Sequence, residues 1–239
     1  MFYYYGGKVR LASKYPEPNY DRIIEPFAGA AGYSMYWLSK KKNLKTTLIE
    51  KDSRVVELWH RLLAMSSQEI LSISMPKAGE WTEDFLFMTV AASNALGRQK
   101  GYSFSQRAAE ECTGMLRRIA RLVDICRNRV TVIQGNYQIA PIEAATYFID
   151  PPYQTPKKLN NKKTSNPKGQ GYAKDCQATD LDFSKLSSWC QALPGQVIVC
   201  EMYGADWLPF IPLTKQTQNS QGVEYGEVVW LKNNIGLPL

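Results

Sequence analysis

The amino-acid sequence predicts an α/β protein with a doubly wound, mostly parallel sheet. The first observation is an opening pattern of strand, glycine-rich turn, helix, strand and helix between residues 22 and 64. The second is a set of further short, β-branched and apolar segments that follow long helical stretches. The third is a length of 239 residues with 44% hydrophobic and 21% charged residues, which suits a folded domain with a full core rather than a disordered chain.

Four opening elements follow from the spacing of apolar residues and from the residues that bound them. Apolar runs flanked by charge predict two buried strands, and the glycine-rich turn after the first strand leads into a helix. Asp52 or Ser53 can accept a backbone N–H and so begin the next helix. In chain order, we predict a strand at 22–27, a helix at 33–41, a strand at 45–50 and a helix at 53–64.

Helical patterns dominate the middle of the chain, and strands return after it. We predict helices at 83–96 and 106–128, then strands at 129–134, 145–149 and 196–200. Two β-rich segments, 213–218 and 224–231, are expected to form an antiparallel pair that closes the sheet. The sequence therefore predicts a main domain made of residues 1–59 and 129–239, interrupted by a mostly helical insert at 60–128.

Composition excludes several classes of protein. The five cysteines include no CxxC pair and the chain has one histidine, His60, which argues against a disulfide framework, a thiolate zinc site and a multi-histidine metal site. No apolar run approaches 18 residues, and no basic segment precedes an apolar one at the N-terminus. We therefore expect a cytoplasmic protein without a membrane partner.

The chain is basic, with 29 lysines and arginines against 22 acidic residues, and this balance favours a polyanionic partner. Residues 154–174 contain six lysines and no acid, and the accompanying Asn, Gly and Pro are typical of a loop that could contact phosphates. Arg117, Arg118 and Arg121 share one face of the predicted helix at 106–128. That face is as consistent with an ordinary solvated surface as with a binding surface.

The segment EPFAGAAG at 25–32 joins the first strand to the first helix. Small residues there allow a ligand close to the backbone, and a helix N-terminus favours anionic groups. Glu50 ends the next strand, 21 residues after Gly29, where a carboxylate can accept both ribose hydroxyls of an adenosine ligand. A nicotinamide dinucleotide stays an alternative, although Phe27 replaces the first glycine of the dinucleotide fingerprint.

The segment FIDPPY at 148–153 carries the most specific chemical signal. A buried strand runs into Asp150, Pro151, Pro152 and Tyr153, and the two prolines fix the backbone and remove two N–H donors. The corner is therefore rich in acceptors and ends in an aromatic ring, which suits a flat substrate with an exocyclic amine. Acceptors on the amine hydrogens expose its lone pair for attack on a positioned methyl group, and no metal is required. Sequence alone leaves open whether Asp150 takes the proton or only orients the amine.

In their order along the chain, these motifs resemble those of the Dam-type DNA adenine methyltransferases, which use S-adenosylmethionine. The resemblance also includes an N-terminal aromatic-x-Gly-Gly-Lys element, a ribose-binding strand end and a Gly-Asp-aromatic strand end. The corresponding segments here are YYGGK at 4–8, EPFAGAAG at 25–32, LIEKD at 48–52, QGNY at 134–137 and FIDPPY at 148–153.

The resemblance implies a Rossmann-like class I methyltransferase sheet, mostly parallel with an antiparallel C-terminal pair, and a small helical target-recognition insert. Asp150, Pro151, Pro152 and Tyr153 would act on an adenine that is flipped out of the duplex, at a cost on the order of a few kcal/mol. The residues expected around the cofactor are Tyr4, Tyr5, Gly7, Lys8, Glu25, Pro26, Phe27, Gly29, Gly32, Glu50, Lys51, Asn136, Tyr137 and Asp150. The residues expected to contact DNA are Arg98, Lys100, Lys157, Lys158, Lys162, Lys163 and Lys168.

Two departures from the family pattern have consequences. Asn136 stands where the family usually has Asp, and we expect altered cofactor affinity rather than loss. The recognition hairpin is reduced to residues 92–104, so fewer side chains reach base edges and we expect a short or relaxed recognition sequence. The small chain suits a phage-encoded or orphan enzyme in a bacterial cytoplasm, acting as a monomer or weak dimer, with or without a companion restriction nuclease.

Other interpretations stay open. An RNA methyltransferase acting on a guanine or adenine amine, or an enzyme acting on a cytosine amine, would use the same corner. A non-catalytic DNA-binding relative would keep the fold; Asp150, Tyr153 and Glu50 argue against it, whereas Asn136 favours it weakly. A nicotinamide-dependent oxidoreductase is the weakest alternative, because nothing in it explains the DPPY corner.

Overall fold

The computed structural model describes residues 1–4, 6–90, 102–154, 176–215, 217–218 and 224–232. The strands are β1 (Arg22–Glu25), β2 (Lys45–Glu50), β3 (Trp81–Thr82), β4 (Tyr102–Ser103), β5 (Val130–Gln134), β6 (Ala145–Ile149), β7 (Gly195–Met202), β8 (Ile211–Pro212), β9 (Thr217–Gln218), β10 (Glu224–Tyr225) and β11 (Glu227–Leu231). The α-helices are α1 (Gly32–Leu38), α2 (Ser53–Ala64), α3 (Ser67–Leu71), α4 (Phe85–Met88), α5 (Gln106–Cys126) and α6 (Phe183–Ala192).

Within the described residues, seven strands form one sheet in the order β5-β2-β1-β6-β7-β11-β8. The first five of these strands pair in parallel, whereas β11 runs antiparallel to both β7 and β8. Numbered by chain order within this sheet alone, the strands read 3-2-1-4-5-7-6. The predicted α/β fold, a Rossmann-like sheet that is mostly parallel with an antiparallel C-terminal end, is confirmed.

The central strands are buried on both faces, which explains why they read as continuous apolar runs in the sequence. Along β6, Phe148 points into one hydrophobic core, and its neighbours Tyr147 and Ile149 point into the other. Helices α1, α2 and α5 cover the first face, and α6 covers the second. The carboxyl ends of the parallel strands therefore meet at one edge of a sheet that is covered on both sides.

The middle of the chain departs from the predicted pattern. Of the helix predicted at 83–96, the described part forms the single turn α4, and residues 91–96 lie outside the described residues. The division into a main domain and an insert at 60–128 stays a prediction, and α5 packs against α1 and α2 with its buried side chains in the first core. Among the described residues, no helix combines the length and the apolar character that crossing a bilayer needs.

The two C-terminal segments do pair with each other, as predicted. Residues 217–218 and 224–225 form the antiparallel pair β9 and β10, and the backbone N–H of Leu213 donates to the carbonyl of Glu227. The pair β9 and β10 is a separate two-stranded ribbon, whereas β11 ends the main sheet antiparallel to β7 and β8. The sequence did not indicate this division into ribbon and sheet, because strand propensity shows that a segment is extended but not which strand it pairs with.

Candidate functional site

A cavity of about 290 Å³ lies at the carboxyl ends of β1, β2, β5 and β6. Its walls include residues 25–32 after β1, Glu50 and Lys51 at the end of β2, residues 135–138 after β5, and Asp150 with Pro152 after β6. Between β1 and β6 the strand order reverses, because β2 and β5 lie to one side and β7 to the other. Ligands of doubly wound folds bind at such a switch point.

The N-terminal segment packs on the turn at 25–32, and this packing explains why the turn has glycine at positions 29 and 32. A Cβ on Gly29, which has φ +47°, would lie 2.6 Å from the Tyr4 ring. A Cβ on Gly32 would lie 2.7 Å from the backbone nitrogen of Val9. Between them, Ala31 adopts a left-handed backbone with φ 49°, an uncommon conformation for a residue with a side chain. The turn is therefore shaped to hold the N-terminal segment against the cavity.

Two buried carboxylates hold this turn in place. Glu25 accepts the N–H of Ser34 at 2.7 Å, so a backbone donor at the start of α1 is already satisfied. Glu50 accepts the N–H groups of Gly29 at 2.8 Å and of Lys51 and Asp52 at 2.8 and 2.9 Å. Burial raises the pKa of both carboxyls, that of Glu25 to about 8, although their backbone donors act in the opposite direction.

These contacts limit what the turn can bind. A carboxylate has about four acceptor positions. Backbone N–H groups occupy three of those on Glu50, two on Oε1 and one on Oε2, so one position on Oε2 is left to accept a ligand. Glu50 can therefore accept about one ribose hydroxyl rather than the two expected from sequence. The N–H groups of Ala28, Gly29 and Ala31 are also bonded within the protein, to Ile49, Glu50 and Ala28.

Aromatic rings form the far side of the cavity. Phe27 stacks on Tyr137, with ring centroids 5.6 Å apart, and Trp189 meets Tyr137 edge-on at 5.0 Å. Asn136 uses its side-chain oxygen to accept the N–H of Gln138 at 2.9 Å. Its amide therefore begins the short 3-10 helix at Tyr137–Ile139, a role that Asp could also fill. Phe27, which interrupts the dinucleotide fingerprint, thus joins the ends of β1 and β5.

Asp150 forms an ion pair with the buried Lys8 at the cavity. The Lys8 ammonium lies 2.9 Å from the Asp150 carboxylate and also donates to the Gly6 carbonyl at 2.7 Å. Burial raises the pKa of Asp150, and Lys8 opposes this rise only in part. Burial by itself would lower the pKa of Lys8, but the carboxylates of Asp150 and Glu227 outweigh burial and raise it. Lys8 therefore stays charged and holds the Asp150 carboxylate in place.

Tyr153 is half-buried, and its hydroxyl points to a second carboxylate. The hydroxyl donates to Glu227 Oε1 at 2.6 Å, and Lys8 Nζ lies 4.8 Å from the centre of the Tyr153 ring. The ligand atoms of Asp150, Cys200 and Glu227 lie within 4.8 Å of one another, which is close enough to share a cation. The Lys8 ammonium already supplies a positive charge to the two carboxylates of this group.

The structure brings most of the predicted site residues together. The cavity is lined by Tyr4, Gly7, Lys8, Glu25, Pro26, Phe27, Gly29, Gly32, Glu50, Lys51, Asn136, Tyr137, Asp150 and Pro152. Pro151 is buried, and Tyr153 does not line the cavity; the centre of its ring lies 4.8 Å from the Nζ atom of Lys8, which does. Tyr5 and the seven predicted DNA contacts, Arg98, Lys100, Lys157, Lys158, Lys162, Lys163 and Lys168, lie outside the described residues.

Sequence reasoning gave no site role to two parts of the site. One wall comes from residues at 176–185, where the sequence showed only a loose resemblance of Asp182 and Phe183 to downstream family positions. Asp182 begins α6 by accepting the N–H groups of Ser184 and Lys185. The spacing of Leu186, Cys190 and Leu193 after Asp182 is a helical signal that would have predicted α6. The other missed residue is Glu227, whose only signal was a single acid at the start of an apolar strand.

Comparisons with models of protein families and with curated proteins found no match to this chain.

Proposed function

We propose that the protein is an S-adenosylmethionine-dependent methyltransferase that acts on the N6 amine of adenine in DNA. One observation carries the proposal: Asp150 of the DPPY corner lines the same cavity as the glycine turn and Glu50. Asp150 lies 100 residues after Glu50 in the chain, and each of the three features has a distinct role in methyl transfer to an amine. The strand order, with its reversed penultimate strand, is also consistent with the class I methyltransferase sheet that the resemblance implies.

The cavity is better suited to a nucleoside cofactor than to a dinucleotide. A pyrophosphate needs free N–H groups at the glycine turn, but three amides of this turn are bonded within the protein. A ribose hydroxyl needs an acceptor, and Glu50 Oε2 retains one position. The stacked rings of Phe27 and Tyr137 supply an apolar wall beside them. S-adenosylmethionine, when bound, supplies an electrophilic methyl group.

The DPPY corner supplies acceptors for an exocyclic amine. The Asp150 carboxylate is held by Lys8, so it is positioned before a substrate arrives. Pro151 and Pro152 have no N–H groups, and the carbonyls before them add acceptor capacity at the corner. An amine that gains a methyl group must lose a proton. The raised pKa of Asp150 makes this carboxylate a better proton acceptor than an exposed aspartate.

The positive charge of the chain is what favours a nucleic acid as the substrate. The chain carries a formal net charge of +7, and the lysine-rich residues 154–174 directly follow the DPPY corner. Lysines placed there would neutralise phosphates on either side of a base that is bound at Asp150. We propose duplex DNA with a flipped adenine as the substrate, and single-stranded DNA as a simpler form of it.

The proposal is tested by transfer of labelled methyl from S-adenosylmethionine to duplex DNA, single-stranded DNA and RNA, followed by nucleoside analysis. Labelled N6-methyladenine in DNA would support it. Methylguanine or methyladenine in RNA, or N4-methylcytosine, would instead support the corresponding alternative. Absence of transfer from a protein that binds S-adenosylmethionine would favour the non-catalytic interpretation.

Substitutions of Asp150 test whether the DPPY corner is required for methyl transfer. Asp150→Ala should abolish transfer, and Asp150→Asn, which keeps the shape of the side chain, should reduce it strongly. Asp124→Ala is the matched control, because Asp124 is 56% exposed and pairs with Arg127 on the surface of α5. Full activity in Asp150→Ala would refute the assigned role of the corner.

The recognition sequence is tested separately. The short segment at 92–104 lies mostly outside the described residues, and we propose from its length that recognition is short or relaxed. Methylated DNA should show partial protection at many sites when it is digested with methylation-sensitive nucleases. Strict protection of one site of about four or more bases would contradict this proposal.

A further inference from the structure

Glu227 is a largely buried carboxylate that the chemistry above does not use. It is the first residue of β11, where it pairs with Met202 of β7, and its side chain is 12% exposed. Its backbone N–H donates to the Thr214 hydroxyl at 3.0 Å, so the residue is fixed by both its strand and the preceding loop. A carboxylate in such a place is costly unless donors surround it.

Three donors converge on this carboxylate. The hydroxyls of Tyr153 and Tyr15 both donate to Oε1 at 2.6 Å, and Lys8 Nζ lies 3.8 Å from the same oxygen. Burial raises the pKa of both tyrosine hydroxyls, so they stay protonated and donate. Burial and the nearby Asp150 carboxylate raise the pKa of Glu227, and Lys8 and the two hydroxyls oppose this rise only in part.

These contacts fix the Tyr153 ring at both ends. At one end, the Cα atom follows two prolines whose backbone angles are restricted. At the other end, the hydroxyl is held by Glu227. The remaining freedom is rotation about the long axis of the ring, and Lys8 Nζ, 4.8 Å from the ring centre, restricts that rotation.

We propose that Glu227 is a positioning residue that orients Tyr153 toward the substrate base through the tyrosine hydroxyl. The proposal rests on the function proposed above, in which the Tyr153 ring stacks on the target base. Glu227 touches neither substrate nor cofactor in this assignment. It acts by keeping the ring in one orientation, so that no ordering is needed when the base arrives.

The test measures methyl transfer, S-adenosylmethionine affinity and stability in a graded series. Glu227→Gln keeps an acceptor but loses the charge, and kcat should fall about tenfold; Glu227→Met keeps the length without a strong acceptor, and kcat should fall on the order of a hundredfold. The Kd for S-adenosylmethionine should stay unchanged to within about twofold, because Glu227 does not line the cofactor cavity.

Two tyrosine variants separate positioning from support of the fold. Tyr153→Phe and Tyr15→Phe each remove one hydroxyl from the same carboxylate oxygen, but only Tyr153 belongs to the corner. Tyr153→Phe should lower kcat, whereas Tyr15→Phe leaves the hydrogen bond between Tyr153 and Glu227 in place and should lower stability with a smaller decrease in kcat. Combining Tyr153→Phe with Glu227→Met should lower kcat no further than Glu227→Met alone, because both changes remove the same contact.

The outcomes distinguish the two proposals. A parent protein that transfers no methyl group to any nucleic acid would overturn the proposed function and this inference with it. A parent that transfers methyl while the Glu227 variants keep its kcat would overturn this inference alone. A fully additive double variant would also contradict it, since Glu227 would then act independently of Tyr153.

Discussion

Substituting Gly32 with alanine should push the N-terminal segment away from the glycine turn, and the structure shows by how much. The new Cβ would lie 2.7 Å from the Val9 nitrogen and 3.0 Å from the Lys8 carbonyl carbon, and both are backbone atoms that cannot rotate away. An ordinary contact begins near 3.4 Å, so the segment must recede by about 0.7 Å. Overpacking of this kind costs about 1–3 kcal/mol.

The same displacement reaches the proposed catalytic residue. Lys8 belongs to the segment that moves, and its ammonium is 2.9 Å from Asp150. A shift in the backbone that carries Lys8 would strain this contact, which has the length of a charge-assisted hydrogen bond. Gly32→Ala should therefore lower both the free energy of unfolding and the rate of methyl transfer.

Urea denaturation and the methyl-transfer assay check this prediction, with Gly114→Ala as the matched control. A Cβ on Gly114, within α5, meets no atom within 4 Å, so the control should gain about 0.5–1 kcal/mol and keep its activity. If Gly32→Ala were as stable and active as Gly114→Ala, the packing of the N-terminal segment on the turn would not be what requires glycine there.

Three further predictions concern charge. Burial raises the pKa of Glu25 from 4.5 to about 8. Folding therefore takes up a proton in this pH range, and the free energy of unfolding should fall as pH rises through it. Glu25→Gln should show a shallower fall in urea denaturation between pH 5 and 8, and equal slopes for the two proteins would contradict the assignment. Glu50→Gln should lose about 1–3 kcal/mol of stability, because an amide cannot accept all three backbone N–H groups. Calorimetry should also show that the variant binds S-adenosylmethionine more weakly. A stability and a binding affinity equal to those of the parent protein would refute the role of Glu50. DNA binding, measured by fluorescence anisotropy, should weaken steeply with salt if several lysines at 154–174 neutralise phosphates, whereas a flat response would exclude that role.

The local pattern of apolar and capping residues was sufficient to predict the bounds of the strands and the helix nearest the site. Strands 45–50 and 145–149 and helix 53–64 have the predicted bounds, because their apolar spacing and capping residues are properties of neighbouring residues. The placement of Glu50 and Asp150 at strand ends follows from the same pattern. Parallel strands bring their carboxyl ends to one edge, so the sequence also indicated that these two residues share a cavity.

The reason for the glycines was not available from the sequence. We interpreted the turn at 25–32 as room for a ligand, but Gly29 and Gly32 also make room for the protein's own N-terminal segment. A glycine in a sequence shows that a side chain is absent, and only the tertiary structure shows what fills the space. Glu50 was likewise interpreted as a ligand for ribose, and three of its acceptor positions proved to hold the backbone.

The sequence by itself determined where the parallel strands and their helices lie along the chain, the sharp DPPY corner and the acid at the end of β2, because these depend on neighbouring residues. The tertiary structure alone decided the partners of the corner: Glu227 meets Tyr153 across 74 positions and Tyr15 across 212. It also decided the direction of each pKa shift, because burial and opposing charges come from distant segments. Periodicity records which face of an element is buried, but it carries no information on which distant side chain lies against that face.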